Sequence, residues 1–178
     1  LSRCQGAADI RRFVESQEIP SAKEHQLTTK PALKIVLIGY TYLIFDDFLS
    51  LNMSDYLRKN GAIVFTYKSV TQEVLNKVRV NLTRDIYWEE PFWMFRAFNH
   101  FLNSVGENSI DGIIYVTSFS CGPGSYMKEL FDRRARAQEY RVNFMSLVID
   151  EHTSETGLET RLEAFLDMIQ RRKRRAIC

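Results

Sequence analysis

Four short apolar runs, each followed by a stretch of helical periodicity, constrain this chain more than any other feature. They are Leu33 to Ile38, Ala62 to Tyr67, Ile110 to Thr117 and Val142 to Ile149. The first is rich in β-branched residues, ends at Gly39 and lacks the polar alternation of a half-exposed strand, so it reads as a central parallel strand. Between the runs, Leu49, Met53, Tyr56 and Leu57 share one face of a helix predicted over Asp46 to Asn60. Asp46 or Asp47 caps its start, and Asn60-Gly61 supplies a left-handed stop. Met94, Ala97, Phe98, Phe101, Leu102 and Val105 predict a second helix that opens at Pro91 and stops at Gly106. Met127, Leu130 and Phe131 mark a third, starting at Pro123. The last has Leu158, Leu162, Phe165, Leu166 and Ile169 inside, with Thr156 and Glu159 as a capping box. Ser69 to Arg84 stays ambiguous, because its valines at 70, 74 and 78 are offset by charge and β-branching.

Strand and helix alternating four times is the pattern of a doubly wound α/β fold. The expectation is a mostly parallel four-stranded sheet in the order 2-1-3-4, flavodoxin-like or Rossmann-like, in three layers. Residues 1 to 32 are weakly patterned: Ile10, Phe13 and Val14 suggest a short helix, and Pro20 and Pro31 a tether, before an α/β domain over residues 33 to 178. The chain begins with Leu1, not Met, so it is expected to be a fragment of something longer. Its 45% hydrophobic and 26% charged residues are a soluble globular composition. No apolar run approaches the roughly 18 to 20 residues of a membrane span, and no signal peptide opens the chain, so a cytoplasmic protein without membrane contact is expected. The net charge is only +2, and much of the basic excess lies in Arg171 to Arg175. Cations facing a helix macrodipole explain that run, so no nucleic-acid partner is expected.

The chemistry concentrates in Ser118-Phe119-Ser120-Cys121-Gly122-Pro123-Gly124-Ser125, where a strand hands over to a helix. Open parallel sheets bind ligands beyond the carboxyl ends of their strands, and a helix N-terminus adds free N–H donors and partial positive charge. A thiol there acts as nucleophile or metal ligand; the blander alternative is a small buried hydrophobe. With the order 2-1-3-4, the loops Gly39 to Phe45 and Ser118 to Gly124 flank one crevice, and Asp150-Glu151-His152 emerges beside it. Cys121 with His152 as base and a carboxylate is the inventory of a cysteine hydrolase or transferase, which makes His152 and Glu151 the catalytic candidates. Against this, a nucleophile elbow wants small residues where the chain has Phe119 and Pro123. Arg161 is expected to pair with Asp150 or Glu151. Cys4, Cys121 and Cys178 form no disulfide framework and no self-contained zinc site, since no C-x-x-C or paired Cys/His spacing occurs. Gly39-Tyr40-Thr41-Tyr42 matches neither the dinucleotide nor the Walker phosphate pattern. The aromatic helix from Pro91 to Val105 leaves one further reading, a non-catalytic interaction module.

Several motifs, in order, carry a resemblance. Lys34-Ile35-Val36-Leu37-Ile38-Gly39-Tyr40-Thr41-Tyr42, Asn52, Tyr87-Trp88-Glu89, Asp111-Gly112-Ile113-Ile114, Phe119 to Ser125, Ile149-Asp150-Glu151-His152-Thr153 and Thr160 to Phe165 together resemble the acyl-CoA dehydratase activase-related proteins. These are similar in turn to subunits of 2-hydroxyacyl-CoA dehydratases, in which cysteines from more than one domain hold a 4Fe-4S cluster. The resemblance implies that the chain is the C-terminal α/β domain of a larger protein, and that Cys121 is the single metal ligand contributed by this domain of an anaerobic iron–sulfur system. Ser120, Gly122, Tyr40, Tyr42 and Asp150 would shape the cofactor pocket. It implies as partners the N-terminal domain of the same protein, an ATPase activator, an acyl-CoA or other small substrate and further subunits, and no activity in the isolated fragment. The family pattern carries an acidic residue where this chain has Gly124.

Overall fold

Leu33–Gly39 forms β1, Ala62–Thr66 β2, Gly112–Ser118 β3 and Asn143–Ile149 β4 in a computed structural model that describes residues 32–79, 85–104, 109–137 and 142–177. All pairings are parallel and the order is β2-β1-β3-β4, as the alternation of elements predicts. The central strands β1 and β3 are buried along nearly their whole length. Their continuous apolar character follows from having helices on both faces.

The helices are α1 (Thr41–Phe45), α2 (Met53–Lys59), α3 (Gln72–Lys77), α4 (Glu89–Leu102), α5 (Gly122–Arg136) and α6 (Glu155–Ile177), with a 3-10 turn over Tyr67–Ser69. Side chains alternate across the pleat, so each strand feeds two cores. On one face, Ile35, Leu37, Ile114, Val116 and Leu147 pack against Met53 and Leu57 of α2 and against Leu158, Leu162, Phe165, Leu166 and Ile169 of α6. On the other, Val36, Ile38, Ile113 and Tyr115 meet Met94, Phe95, Phe98 and Phe101 of α4 and Met127 and Phe131 of α5. The second core is aromatic: the Phe131 ring lies 4.3 Å from Phe98, 4.7 Å from Tyr115 and 6.0 Å from Phe95. Helix α4 is therefore interior, with Met94, Phe95, Ala97 and Phe98 fully covered. That removes the support for an interaction module built on its face.

Local expectations fail where backbone geometry intervenes. The helix expected over Asp46 to Asn60 forms only as α2, which starts at Met53 after a run of turns, and the expected loop Tyr40 to Phe45 is mostly helical. Leu51 and Asn52 both take left-handed dihedrals, φ 51° and 53°, which a right-handed helix cannot continue. Asp46 does cap, but as a turn, with Oδ1 accepting from Leu49 N at 2.8 Å. The stop at Asn60-Gly61 is as predicted, Gly61 having φ 80°. Helix α6 is capped two residues early: Ser154 Oγ accepts from Gly157 N at 3.1 Å, so Thr156 lies inside the helix. Part of Ser69 to Arg84 resolves as α3; residues 80–84, Val105 and Gly106 lie outside the described residues, as do the expected N-terminal helix, Cys4 and Cys178.

At the amino edge of the sheet Asp111 ties several elements together. Its Oδ2 accepts from Lys34 N at 2.8 Å, its Oδ1 pairs with Lys173 Nζ at 2.6 Å, and its carbonyl accepts from Asn143 Nδ2 at 2.8 Å. Arg172 adds a bond to Asn143 Oδ1 at 3.1 Å. The basic run of α6 thus serves the fold at two positions. No helix among the described residues is long and apolar enough to cross a membrane.

Candidate functional site

The carboxyl end of β3 builds the loop. Phe119 N still donates to Ile149 O at 2.8 Å, so the edge pairing runs one residue past the strand. Cys121 N then donates to Ser118 O at 3.3 Å, closing a turn whose third residue, Ser120, has φ 60°. Cys121 follows with ordinary extended dihedrals, φ −78° and ψ 107°, as the N-cap of α5. Its half-buried Sγ accepts from Gly124 N at 3.4 Å, taking the place a serine or aspartate oxygen usually fills. Pro123 needs no N–H partner in this first turn.

Gly124 is buried because α5 descends onto β3 at this point. A Cβ there would run into Thr117 Oγ1 and lie 3.1 Å from Cys121 Sγ. Tyr115 OH donates to Gly124 O at 3.0 Å, holding the same turn from below. Burial pushes the Tyr115 phenol above its usual range, opposed by the neighbouring Thr117 hydroxyl. Thr117 Oγ1 nevertheless closes no hydrogen bond of good geometry.

The loop after β1 forms the opposite wall. Tyr40 and Tyr42 stack with centroids 5.8 Å apart, and Tyr42 OH lies 3.5 Å from Ser118 Oγ. Burial raises the Tyr40 phenol well above its ordinary value, followed by its hydrogen-bonding approach to Cys121 and the thiolate's charge. No hydrogen bond closes between Tyr40 and Cys121 among the described residues; the sulfur's amide partner is Gly124. Behind Tyr40 stands Glu90, in the first turn of α4. Its Oε1 accepts from Thr41 N at 2.8 Å, Thr41 Oγ1 at 2.6 Å and Tyr67 OH at 2.7 Å.

The third loop is more self-contained. Asp150 Oδ1 accepts from Thr153 Oγ1 at 2.7 Å and from His152 N at 3.1 Å. The Thr153 hydroxyl, ahead of the His152 amide, holds the Asp150 carboxyl below the usual range. Glu151 and His152 are exposed, and no hydrogen bond joins either to Cys121 among the described residues. Arg161 forms no ion pair with Asp150 or Glu151, contrary to expectation: Asp150 is bonded within its own turn, and Arg161 points to solvent. The backbone departure sits at Ser120 and not at Cys121, so the turn is not a nucleophile elbow.

The family model described as 2-hydroxyglutaryl-CoA dehydratase, D-component, matches residues 10–169. The chain belongs to that family. No curated protein matches its sequence.

For a D-component chain, a thiol at the carboxyl edge of the sheet invites a test against iron–sulfur ligation. Cys121 is partly accessible and receives one backbone N–H, a donor suited to a thiolate. Among the described residues no three His, Cys, Asp or Glu side chains gather closely enough to hold a metal ion. The thiol therefore fits as one ligand and not as part of a complete local set. Exposed aromatics follow β1 and β3 and precede α4 in this D-component chain: Phe48, Phe119 and Tyr87, at 85%, 67% and 87% exposure. Sequence reasoning missed Glu90, Thr41, Tyr67 and Thr117. Glu90 reads as an ordinary first-turn acid, and its partner Thr41 lies 49 residues away.

Proposed function

We propose that this chain is the part of a 2-hydroxyacyl-CoA dehydratase-type protein that presents Cys121 as one thiolate ligand of a 4Fe-4S cluster. The remaining ligands come from another domain or a partner subunit. The observation that carries the reading is the Cys121 Sγ at the N-cap of α5, half-exposed at the carboxyl edge of a parallel sheet and already receiving the Gly124 N–H. When bound, such a cluster supplies one-electron chemistry. This chain's own residues do the rest. Gly124 N donates to the sulfur, stabilising charge there. Tyr42 and Ser118 close the wall between the β1 and β3 loops. Asp150, fixed by Thr153, borders the crevice in which an acyl-CoA thioester would lie, with exposed His152 free to move a proton at its mouth. An ATPase activator and an N-terminal domain complete the system, and the fragment alone is inactive.

The test is iron and acid-labile sulfide, with an absorption spectrum, on anaerobically prepared full-length protein and its Cys121→Ser variant. The expected result is a cluster in the parent that is lost or converted to a form with less iron in the variant. Iron content and spectrum unchanged by Cys121→Ser would overturn the proposal.

A further inference from the structure

Strand β4 closes the sheet on one side, and its outer edge is open. Asn143 N donates to Asp111 O and Ile149 O accepts from Phe119 N, so residues 143, 145, 147 and 149 turn their backbone groups toward β3. Backbone direction alternates along a strand, so Phe144, Ser146 and Val148 present their N–H and C=O groups outward. Among the described residues none of these groups meets a partner. Edge strands are commonly protected by a charge, a proline or a bulge. β4 has none of them: it reads Asn-Phe-Met-Ser-Leu-Val-Ile and pairs with β3 in unbroken register. The opposite edge, β2, is shorter, and its Thr66 N–H is already taken by Ser69 Oγ. Where β4 begins, α6 leaves a groove of about 670 Å³ lined by Asn143, Ala164, Met168, Arg171, Arg172 and Arg175.

Charge divides along this edge. Exposed Arg171, Arg172 and Arg175 gather at the amino end of β4, where Arg172 reaches Asn143 Oδ1 at 3.1 Å, and exposed Asp150, Glu151 and Glu155 follow its carboxyl end. A strand with outward groups centred on one residue and opposite charges at its two ends is complementary to a reversed copy of itself. We infer that the β4 edge is a homodimer interface, in which two copies pair antiparallel about a two-fold axis at Ser146. Phe144 then lies opposite the partner's Val148, and Ser146 opposite the partner's Ser146, so every outward N–H and C=O of both strands is bonded. Asn143 comes opposite the partner's Ile149, which sets Arg172 against the partner's Glu151 and, by symmetry, Glu151 against the partner's Arg172. From Asn143 to Ser146 is about 10 Å of strand, matched by about seven residues of helix counted back from Arg172. The axis therefore passes near Ala164, whose small side chain allows close approach, and Arg161 faces the partner's Asp167. An acidic segment of another protein would satisfy the arginines alone; a second copy satisfies the arginines, the acids and the strand edge together. The pairing also brings a cation to the turn beside the Cys121 loop, and it stands whether or not that thiol holds a cluster.

The experiment measures the mass of the full-length protein by sedimentation equilibrium over a range of concentrations. The expected result is a monomer–dimer equilibrium. Ser146→Pro should weaken the dimer about thirtyfold, through the loss of two symmetry-related backbone hydrogen bonds. It should leave the monomer folded, because the N–H that it removes points away from β3. Charge reversals test the register without touching the strand, and they cover the case in which Ser146→Pro does not fold. Arg172→Glu and Glu151→Arg should each weaken the dimer about tenfold, since the symmetry makes each change strike two exposed pairs. The double variant should dimerise nearly as well as the parent. A monomer at every concentration, as when another segment or a different subunit occupies the edge, would overturn the inference. So would a dimer of unchanged strength in folded Ser146→Pro, or a double reversal no stronger than the single ones.

Discussion

Gly124→Ala is expected to destabilise the folded protein by about 3 kcal/mol, the upper end of the usual cost of forcing a methyl into a packed interior. The added carbon has no room, because Thr117 Oγ1 occupies its place and Cys121 Sγ and Cβ stand at 3.1 and 3.3 Å. Thr117 belongs to a central strand and Cys121 to the turn that starts α5, so neither is the far end of a flexible side chain. Relief requires α5 to lift off β3, which breaks the bond from Tyr115 OH to Gly124 O. The decisive control is Thr117→Ala. That change removes the obstructing oxygen, which is buried without a closed hydrogen bond, so alone it costs little. In the double variant most of the Gly124→Ala penalty should vanish, a coupling of about 2 kcal/mol between contacting sites. Urea unfolding midpoints at constant slope measure all three variants. Equal penalties with and without Thr117→Ala would mean that the crowding lies elsewhere. Gly124→Asp should be worse than alanine, since it adds a carboxylate beside the Cys121 sulfur in a half-buried turn. In this chain, then, the acid of the family pattern cannot simply be restored at 124.

Phe131→Ala carries the largest expected loss in the interior, about 4 kcal/mol. The ring is fully buried and sits among Phe95, Phe98 and Tyr115, so its removal leaves a cavity with rigid aromatic walls that close poorly. Thermal unfolding gives the stability. A second readout is the thiol: Tyr115 leans on Phe131 and holds Gly124 O, so Cys121 alkylation should change in the folded variant as well. Phe131→Leu, which refills most of the volume, should recover at least half of the stability; failure to do so would mean that ring stacking and not volume dominates.

The topology was legible because it depends on burial, which the chain spells out at short range. Leu33 to Ile38 and Ile110 to Thr117 could only be strands covered on both faces, and the apolar stripe from Leu158 to Ile169 could only face a core. The position of Cys121 was legible for a similar reason, since Pro123 fixes where α5 starts. What stayed hidden depends on partners distant in sequence or on single dihedrals. Nothing in the letters of Leu51-Asn52 announces two consecutive left-handed residues, so the late start of α2, at Met53 and not at Asp46, was invisible. Glu90 looked like any acid in a first helical turn until the fold brought Thr41 and Tyr67 to it. Arg161 and the carboxylates near it are close in sequence, yet Asp150 found a nearer partner in Thr153.

The two cores differ in which parts of the chain they join. The aromatic one is assembled chiefly from β1, β3 and the middle helices α4 and α5, whereas the other binds α2, near the start of the domain, to α6, its last helix. During synthesis the aromatic side has its helices once α5 has left the ribosome. The opposite side of the sheet, covered there only by α2, stays partly wet until α6 is delivered, some 40 residues later, an interval counted from Arg136 to Ile177. At a translation rate of roughly 5 to 20 residues per second that exposure lasts on the order of 2 to 8 seconds. The nascent chain passes through a half-covered sheet whose unprotected face is the one a chaperone would bind, and a truncation before α6 would leave it permanently in that state.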